Sequence, residues 1–349
     1  MQHLAIDLGG QESQICIREA DGTVLLERKV KTAAIKRFLK TRPKSRVIVE
    51  TCSEAFRVAD GAIEFGHEVR VVPATLVRQL GVGHRGIKTD RRDAQALSEV
   101  SCRIDLPSVH IRSELARNWK SISSARVGLV AARTQLVNAV RGWLRTHIMS
   151  VRRGSPSTFP ERVRDKLLSH PDGIPQFIEG QLSVLDELNK QIKRADAELV
   201  ALAENHPICQ RLMTIPGVGP MTAVYFVATI DDVTRFPNAH AIESYLGLTA
   251  GERSSSTKKR RTGITKAGSP EMRRLLNQAC WCIFRQRSHD PLAVWGRQIA
   301  ERRGKLVANV AMSRKLTGIM YAIWRDQTSY DASKVSRLVN GDWEQKATA

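Results

Sequence analysis

Along the first hundred residues, apolar positions recur at every second residue or in short unbroken runs. HLAID, SQICIRE and TVLLERKV carry this strand pattern. They are separated by Gly9-Gly10 and by the Asp21-Gly22 turn, and predict a three-stranded meander. IKRFLK predicts a short helix, and RVIVE, an apolar run closed by an acid, a buried central strand. EAFRVADGAIEFG predicts a helix ended by Gly66, and HEVRVV a strand stopped at Pro73. This order implies a mixed α/β domain. From about residue 113 to 150 the spacing becomes helical, with Leu115, Trp119, Ile122, Val127, Leu129, Leu136, Val140 and Trp143 among interleaved arginines. The stretch IEGQLSVLDELNKQIKRADAELVALAENH repeats the pattern after a Gly/Pro/Ser break at RRGSPSTFP. An antiparallel helical hairpin or short coiled coil follows, either an ordinary packed core or a dimerisation arm. A third, mostly helical region begins near LMTIPGVGPMTAVYFVATI, and the residues after about 330 are polar and expected to fray. The predicted class is α/β plus mostly α. Its divisions are a sheet domain over 1–107, a helical domain over 108–205, a C-terminal domain over 206–330 and a tail over 331–349.

Composition narrows the partner. The 349 residues include 55 Lys and Arg against 35 Asp and Glu, a formal charge of +20. Such a field attracts phosphate backbones with salt-dependent affinity, although a basic ribosome-like or membrane-surface protein would share the charge. The six cysteines form no CxxC pair and nothing resembles a secretory signal, so reduced thiols and a cytoplasmic location are expected. No apolar run approaches a membrane span.

Against this charge, the placement of four acids is informative. Asp7 ends the first strand before two glycines, Glu50 ends the central strand, and Asp90 and Asp93 stand one helical turn apart in KTDRRDAQAL. Singly they have ordinary readings: a turn residue, a helix cap, a first-turn partner of the helix dipole. Together they would repel unless a divalent cation neutralised them. Two such cations can activate an attacking oxygen and stabilise a leaving one at phosphorus.

With these residues the chain resembles the DEDD insertion-sequence transposases, whose N-terminal domain is of the ribonuclease-H/RuvC type and whose relatives include the Piv site-specific invertases. The likeness rests on Asp7 in AIDLG, Glu50 in VIVET, and Asp90 and Asp93 in KTDRRDAQAL, with GHEVRVVPATLVRQL between. It runs to about residue 105 and returns from about 208 to 280. It implies a metal tetrad of Asp7, Glu50, Asp90 and Asp93 holding Mg2+ (or Mn2+), flanked by Lys88, Arg91 and Arg92 for nucleic acid. In the third region, IPGVGPMTA resembles a helix-hairpin-helix turn, with Gly217 and Gly219 letting backbone N–H groups approach a phosphate; a simple glycine turn explains it almost as well.

The run GLTAGERSSSTKKRRTGITKAGSPEMRRLL matches the segment that carries the family's nucleophilic serine, through Gly247, Leu248, Gly263, Ile264, Lys266, Gly268 and Arg273. Counting back places Ser255 at that position. Ala250 stands where Pro is usual, Ser256 where Gly is usual and Ser269 where Asn is common, and with serines at 254, 255 and 256 the register can shift by one. A solvated basic linker is the alternative for this stretch. Lys258, Lys259, Arg260, Arg261, Lys266, Arg273 and Arg274 are the expected phosphate contacts. The resemblance implies a bacterial, nucleoid-associated DNA recombinase that excises and inserts a mobile element by serine attack at a site shared between protomers. Its implied partners are double-stranded DNA, a noncoding bridge-type guide RNA, and further copies of itself as a dimer or tetramer. A Piv-like invertase and a nucleic-acid-binding protein that no longer cuts are the alternatives.

Overall fold

The computed structural model describes residues 1–79, 90–168, 173–252 and 261–340. They fall into two compact units, Met1–Arg112 and Ser113–Ala349.

The first unit is a five-stranded mixed sheet with helices on both faces, as the apolar alternation predicts. Its elements are β1 (Gln2–Asp7), β2 (Glu12–Arg18), β3 (Val24–Lys31), α1 (Ile35–Lys40), β4 (Ser45–Glu50), α2 (Ala55–Glu64), β5 (Glu68–Val72), α3 (Ala74–Gln79) and α4 (Asp90–Arg103). The strand order is β3-β2-β1-β4-β5. β1 runs antiparallel to β2 and parallel to β4, and β4 runs parallel to β5. β1 is the middle strand; β4 lies inside the sheet between β1 and β5, and Val47, Ile48 and Val49 are fully buried, which is why its pattern is unbroken rather than alternating. One sheet face, with Leu4, Ile6, Val47 and Val49, packs on α1 and α2 through Ile35, Leu39, Ala55 and Ala59. The other, with Ala5, Ile48 and Val72, packs on Leu97 of α4 and Val77 of α3.

The second unit is almost entirely helical. It comprises α5 (Glu114–Thr146), α6 (Phe159–Leu167), α7 (Gln176–Glu204), α8 (Pro207–Met213), α9 (Pro220–Ile230), α10 (Ala239–Tyr245), the ribbon β6 (Ala250–Glu252) and β7 (Arg261–Ile264), α11 (Pro270–Gln286), α12 (Pro291–Arg303), α13 (Lys305–Asp326) and α14 (Ala332–Asn340). Ser113 caps α5 by accepting from the Ala116 N–H at 3.2 Å. α5 and α7 are antiparallel: Trp119 meets His206, Arg126 meets Asp196, Arg133 meets Asn189 and Trp143 meets Phe177, in opposite order along the two helices. The expected hairpin is therefore present. One end of it closes on α6 through Phe159, Val163, Leu167, Ile178 and Leu182, and the other shares a core with α9. α6, in the stretch after the Gly/Pro/Ser break, was not visible in the periodicity because it packs at only one short stripe.

Every residue of α9 from Thr222 to Ile230 is buried, so its apolar run is that of a helix surrounded by others. Residues 332–340, which sequence alone reads as the start of a polar tail, form α14, and Val335 is 4% exposed. Among the described residues no helix is long and apolar enough to cross a membrane, and all six cysteines are free thiols.

Candidate active site

The sheet topology draws the acids of the first unit toward one edge. The parallel register pairs Ile6 with Val49, so the next residues, Asp7 and Glu50, end neighbouring strands at the same level. Side chains alternate across a sheet. Asp7 therefore shares a face with Ala5, and Glu50 with Ile48, which is the face that α4 covers.

α4 runs antiparallel to β1. Ser101 Oγ lies 2.7 Å from His3 Nδ1, and Arg18 Nε donates to Ser98 Oγ at 3.0 Å. Eight residues back along the helix from Ser101, about 12 Å at 1.5 Å per residue, is Asp93. Four residues on from His3, about 13 Å along a strand, is Asp7. Asp93 thus sits on α4 at the level where β1 and β4 end, and it is 3% exposed. Asp90 opens α4 one turn earlier; its side chain lies outside the described residues, as does Lys88. Among the described residues, no three His, Cys, Asp or Glu side chains converge on one metal-sized position. The structure thus brings Asp7, Glu50 and Asp93 to one end of one sheet face without gathering them into a ligand cluster. Their donor set is all carboxylate oxygen, which suits Mg2+ or Mn2+ rather than a soft metal, so the residues fit such an ion by donor chemistry.

The cations beside this edge are engaged within the fold. Arg91 donates from Nε and Nη2 to Glu27 Oε2 on β3, at 2.9 and 2.6 Å, while Gln95 donates to Glu27 Oε1. Arg92 is exposed. Gln95 first, then Arg91, hold the Glu27 carboxyl below the usual carboxylate range. A carboxyl whose folded pKa is depressed stabilises above its unfolded pKa, and that stability is lost as pH falls through the folded value. Glu27→Gln is therefore expected to lower thermal stability at neutral pH and to flatten its further loss below pH 4.5, the ordinary value for this group. Unfolding curves of both proteins across that range check this.

In the second unit, the IPGVGPMTA turn joins α8 to α9. Gly217 has φ +79°, and a Cβ there would lie 2.7 Å from the Ala279 carbonyl oxygen on α11. Gly217 thus permits close packing of this turn on α11. Gly219 caps the N-terminus of α9; a Cβ on it would meet nothing within 4 Å.

The serine-bearing segment leaves from β6 and returns in β7. Residues 253–260, and with them Ser255, Lys258, Lys259 and Arg260, lie outside the described residues, and of Arg261 only the backbone in β7 is described. The base of the ribbon is well specified. Gly247 has φ +70° and Lys266 φ +57°; the Lys266 N–H donates to Gly247 O at 3.0 Å and the Thr265 N–H to Thr249 O at 2.9 Å. Arg273 Nη1 donates to the carbonyls of Leu246 (3.2 Å) and Gly268 (2.6 Å). Arg274 pairs with Glu271 one turn earlier. Sequence reasoning assigned Arg273 a phosphate; its side chain clamps the ribbon's two ends together, a role that no motif spacing signals. Gly268 is the tightest point, because a Cβ there would collide with the Tyr245 carbonyl oxygen and the Leu246 backbone. Backbone cannot yield as a side-chain tip can, so Gly268→Ala is expected to cost about 1–3 kcal/mol. It should lower activity further than thermal melting accounts for, because it displaces the ribbon; melting and activity measured on one preparation check both.

Known proteins resemble this chain over nearly its whole length. A DEDD transposase model of the IS110 type matches residues 4–149, and the model of the transposase IS116/IS110/IS902 family matches residues 209–293. Among similar proteins are the transposase for insertion sequence element IS1111A of Coxiella burnetii, 28% identical over 94% of this chain and 90% of its own, and a probable family 20 transposase of Pseudomonas aeruginosa, 26% identical over 95% and 98%. The transposase for insertion sequence element IS1328 of Yersinia enterocolitica is 27% identical over 94% and 98%. Two domain models in one chain, and alignments that span nearly the whole of it, place this protein in the IS110-type family of DEDD insertion-sequence transposases.

Proposed function

We propose that this transposase excises and inserts a mobile DNA element by phosphodiester exchange through Ser255, assisted by a divalent cation held by Asp7, Glu50, Asp90 and Asp93. The observation that supports this reading is the meeting of Asp7 and Glu50 at the ends of adjacent parallel strands, on the face where α4 brings Asp93 to the same level. Mg2+ or Mn2+ bound there would supply charge stabilisation at phosphorus. The chain's own residues do the rest. The serine Oγ loses its proton and forms an O–P bond while one bridging P–O bond breaks, releasing a strand with a free hydroxyl. Attack by a different strand's hydroxyl reverses the step and rejoins DNA. One phosphodiester is exchanged for another, so no nucleotide triphosphate is consumed. Lys258, Lys259, Arg260 and Arg261 would offset the charge that develops on the phosphate.

Because two DNA sites must be held together, the working form is a homo-oligomer, with the sheet domain of one protomer completing the serine site of another. Residues 108–205 would supply much of the contact between copies, and 206–330 the serine. Target choice falls to a noncoding guide RNA that pairs with donor and target, and the protein acts in the cytoplasm at the nucleoid. The test is incubation of the purified protein with supercoiled DNA carrying the element ends and Mg2+. The expected products are nicked or recombined DNA and a protein–DNA adduct that survives denaturation. Inversion without excision would move the reading to an invertase, and binding without any cleavage would reduce it to a nucleic-acid-binding protein. RNA co-purified at moderate salt should be one defined species; a heterogeneous pool lost as salt rises would remove the guide.

A further inference from the structure

The second unit contains a cavity of about 1010 Å³ whose floor is one stripe of α13 and whose walls come from α10, α12 and the approach to α14. Ala311, Lys315, Gly318 and Ala322 recur every three or four residues and are partly exposed, whereas most of their neighbours on α13 are buried. Ala311, Gly318 and Ala322 are the small residues of that stripe, which gives the cavity depth, and Lys315 stands among them. Trp295, Tyr321 and Tyr330 are the aromatic residues of its lining. Trp295 carries the Lys315 ammonium 5.8 Å from its ring centroid. Tyr330 is held rigidly, its hydroxyl donating to Asp290 Oδ2 at 2.7 Å and its N–H to Thr214 Oγ1 at 2.9 Å. Ion pairs also line it: Glu243, 7% exposed, accepts from Arg314 Nε at 2.5 Å, and Arg325 pairs with Asp326.

We propose that this cavity receives unstacked bases of single-stranded nucleic acid. A base offers a flat π-face, which suits the indole and phenol walls, and a polar edge, which suits the Glu243–Arg314 pair. Its phosphates would meet Lys315, Arg325 and Lys334, which share the lining with Asp326 and Asp331, and a chain of charge +20 favours such a polyanion over a cationic partner. An apolar interior with cations at the lining is the reverse of a duplex groove, which needs charge along its whole length and leaves its bases stacked. At about the upper end of the 300–1,000 Å³ typical of ligand sites, the cavity has room for more than one base. α10, which forms one wall, leads directly to the serine ribbon, with the Leu248 N–H donating to Glu243 O at 2.9 Å. A strand anchored here is thus held close in sequence to β6 without using any residue assigned to the chemistry.

The test needs no cleavage and stands apart from the recombination reading. Ten-nucleotide DNA and RNA strands bearing one 5-iodouracil, and a DNA duplex bearing the same base, are irradiated with the full-length protein, and adducts are mapped by mass spectrometry. Adducts on Trp295 or Tyr330 with the single strands and not the duplex are expected, and whether DNA or RNA gives them identifies the source. Ala322→Leu fills the cavity and should abolish those adducts and weaken single-strand binding about tenfold, the worth of one lost stacked base, with duplex binding unchanged. Gly318→Leu is the second variant, since a Cβ there lies at 3.5 Å from both Ala239 Cβ and Glu243 Oε1, ordinary contact. Thermal melting confirms that each variant is folded. No adduct at either ring, or adducts and affinity untouched by both filling variants, overturns the proposal.

Discussion

Asp7→Asn is expected to lower strand cleavage on the order of 10³-fold or more while leaving DNA affinity within about twofold of the parent. The change keeps the shape of the side chain and removes its charge. Since Asp7 ends β1 at the level of Glu50 on the covered face of the sheet, losing its charge weakens any cation held there, and the transition state loses more than the ground state. Glu50→Gln should behave alike. The pair should be far from additive, since each variant alone already disables one shared ion. Binding is retained because affinity for DNA comes from the excess of basic residues across the chain. The deciding measurement is cleavage of supercoiled DNA across a titration of Mg2+ and Mn2+, with affinity taken from the same preparations. Full cleavage by Asp7→Asn at ordinary Mg2+ would remove Asp7 from the metal site. A loss of binding equal to the loss of cleavage would make its role structural.

Ser255→Ala is expected to eliminate the covalent protein–DNA adduct, with DNA binding intact. A hydroxyl has no substitute in a displacement that it performs itself, so the effect should be total rather than graded. Because Ser254, Ser255 and Ser256 are adjacent, each is replaced singly by Ala and the adduct is measured for all three. Loss confined to Ser255→Ala supports the register read from Gly263, Ile264, Lys266 and Gly268. Loss confined to a neighbour shifts the nucleophile by one. An adduct that survives all three replacements would point to another nucleophile, and the serine reading would fall.

These two experiments probe segments that differed in how far they could be read from the chain. The strand-end acids were legible because strand periodicity is local: an apolar run that stops at Asp7 or Glu50 marks both the element and its end. The long helices α5 and α7 were legible for the same reason, each repeating its apolar stripe over many turns. The clamp of Arg273 on Leu246 and Gly268 was not, because an arginine among basic neighbours looks alike whether it meets a phosphate or a carbonyl. Nor was the pairing of Arg91 with Glu27, which joins residues 64 positions apart. Helix α14 was missed because Val335, its buried side chain among the described residues, stands in a segment polar enough to look frayed.

Local pattern alone therefore decided the fold class, the meander, the buried strand β4, the long helical hairpin and the polyanion-seeking charge, since each depends on residue type and spacing over a few turns. Parallel pairing of β1 with β4 decided that Asp7 and Glu50 lie side by side. The antiparallel run of α4 across the sheet decided that Asp93 reaches their level. The packing of α10, α12 and α13 decided that a deep aromatic cavity exists at all. Each of these depends on which distant segments bury one another's apolar faces, a choice that no local spacing encodes.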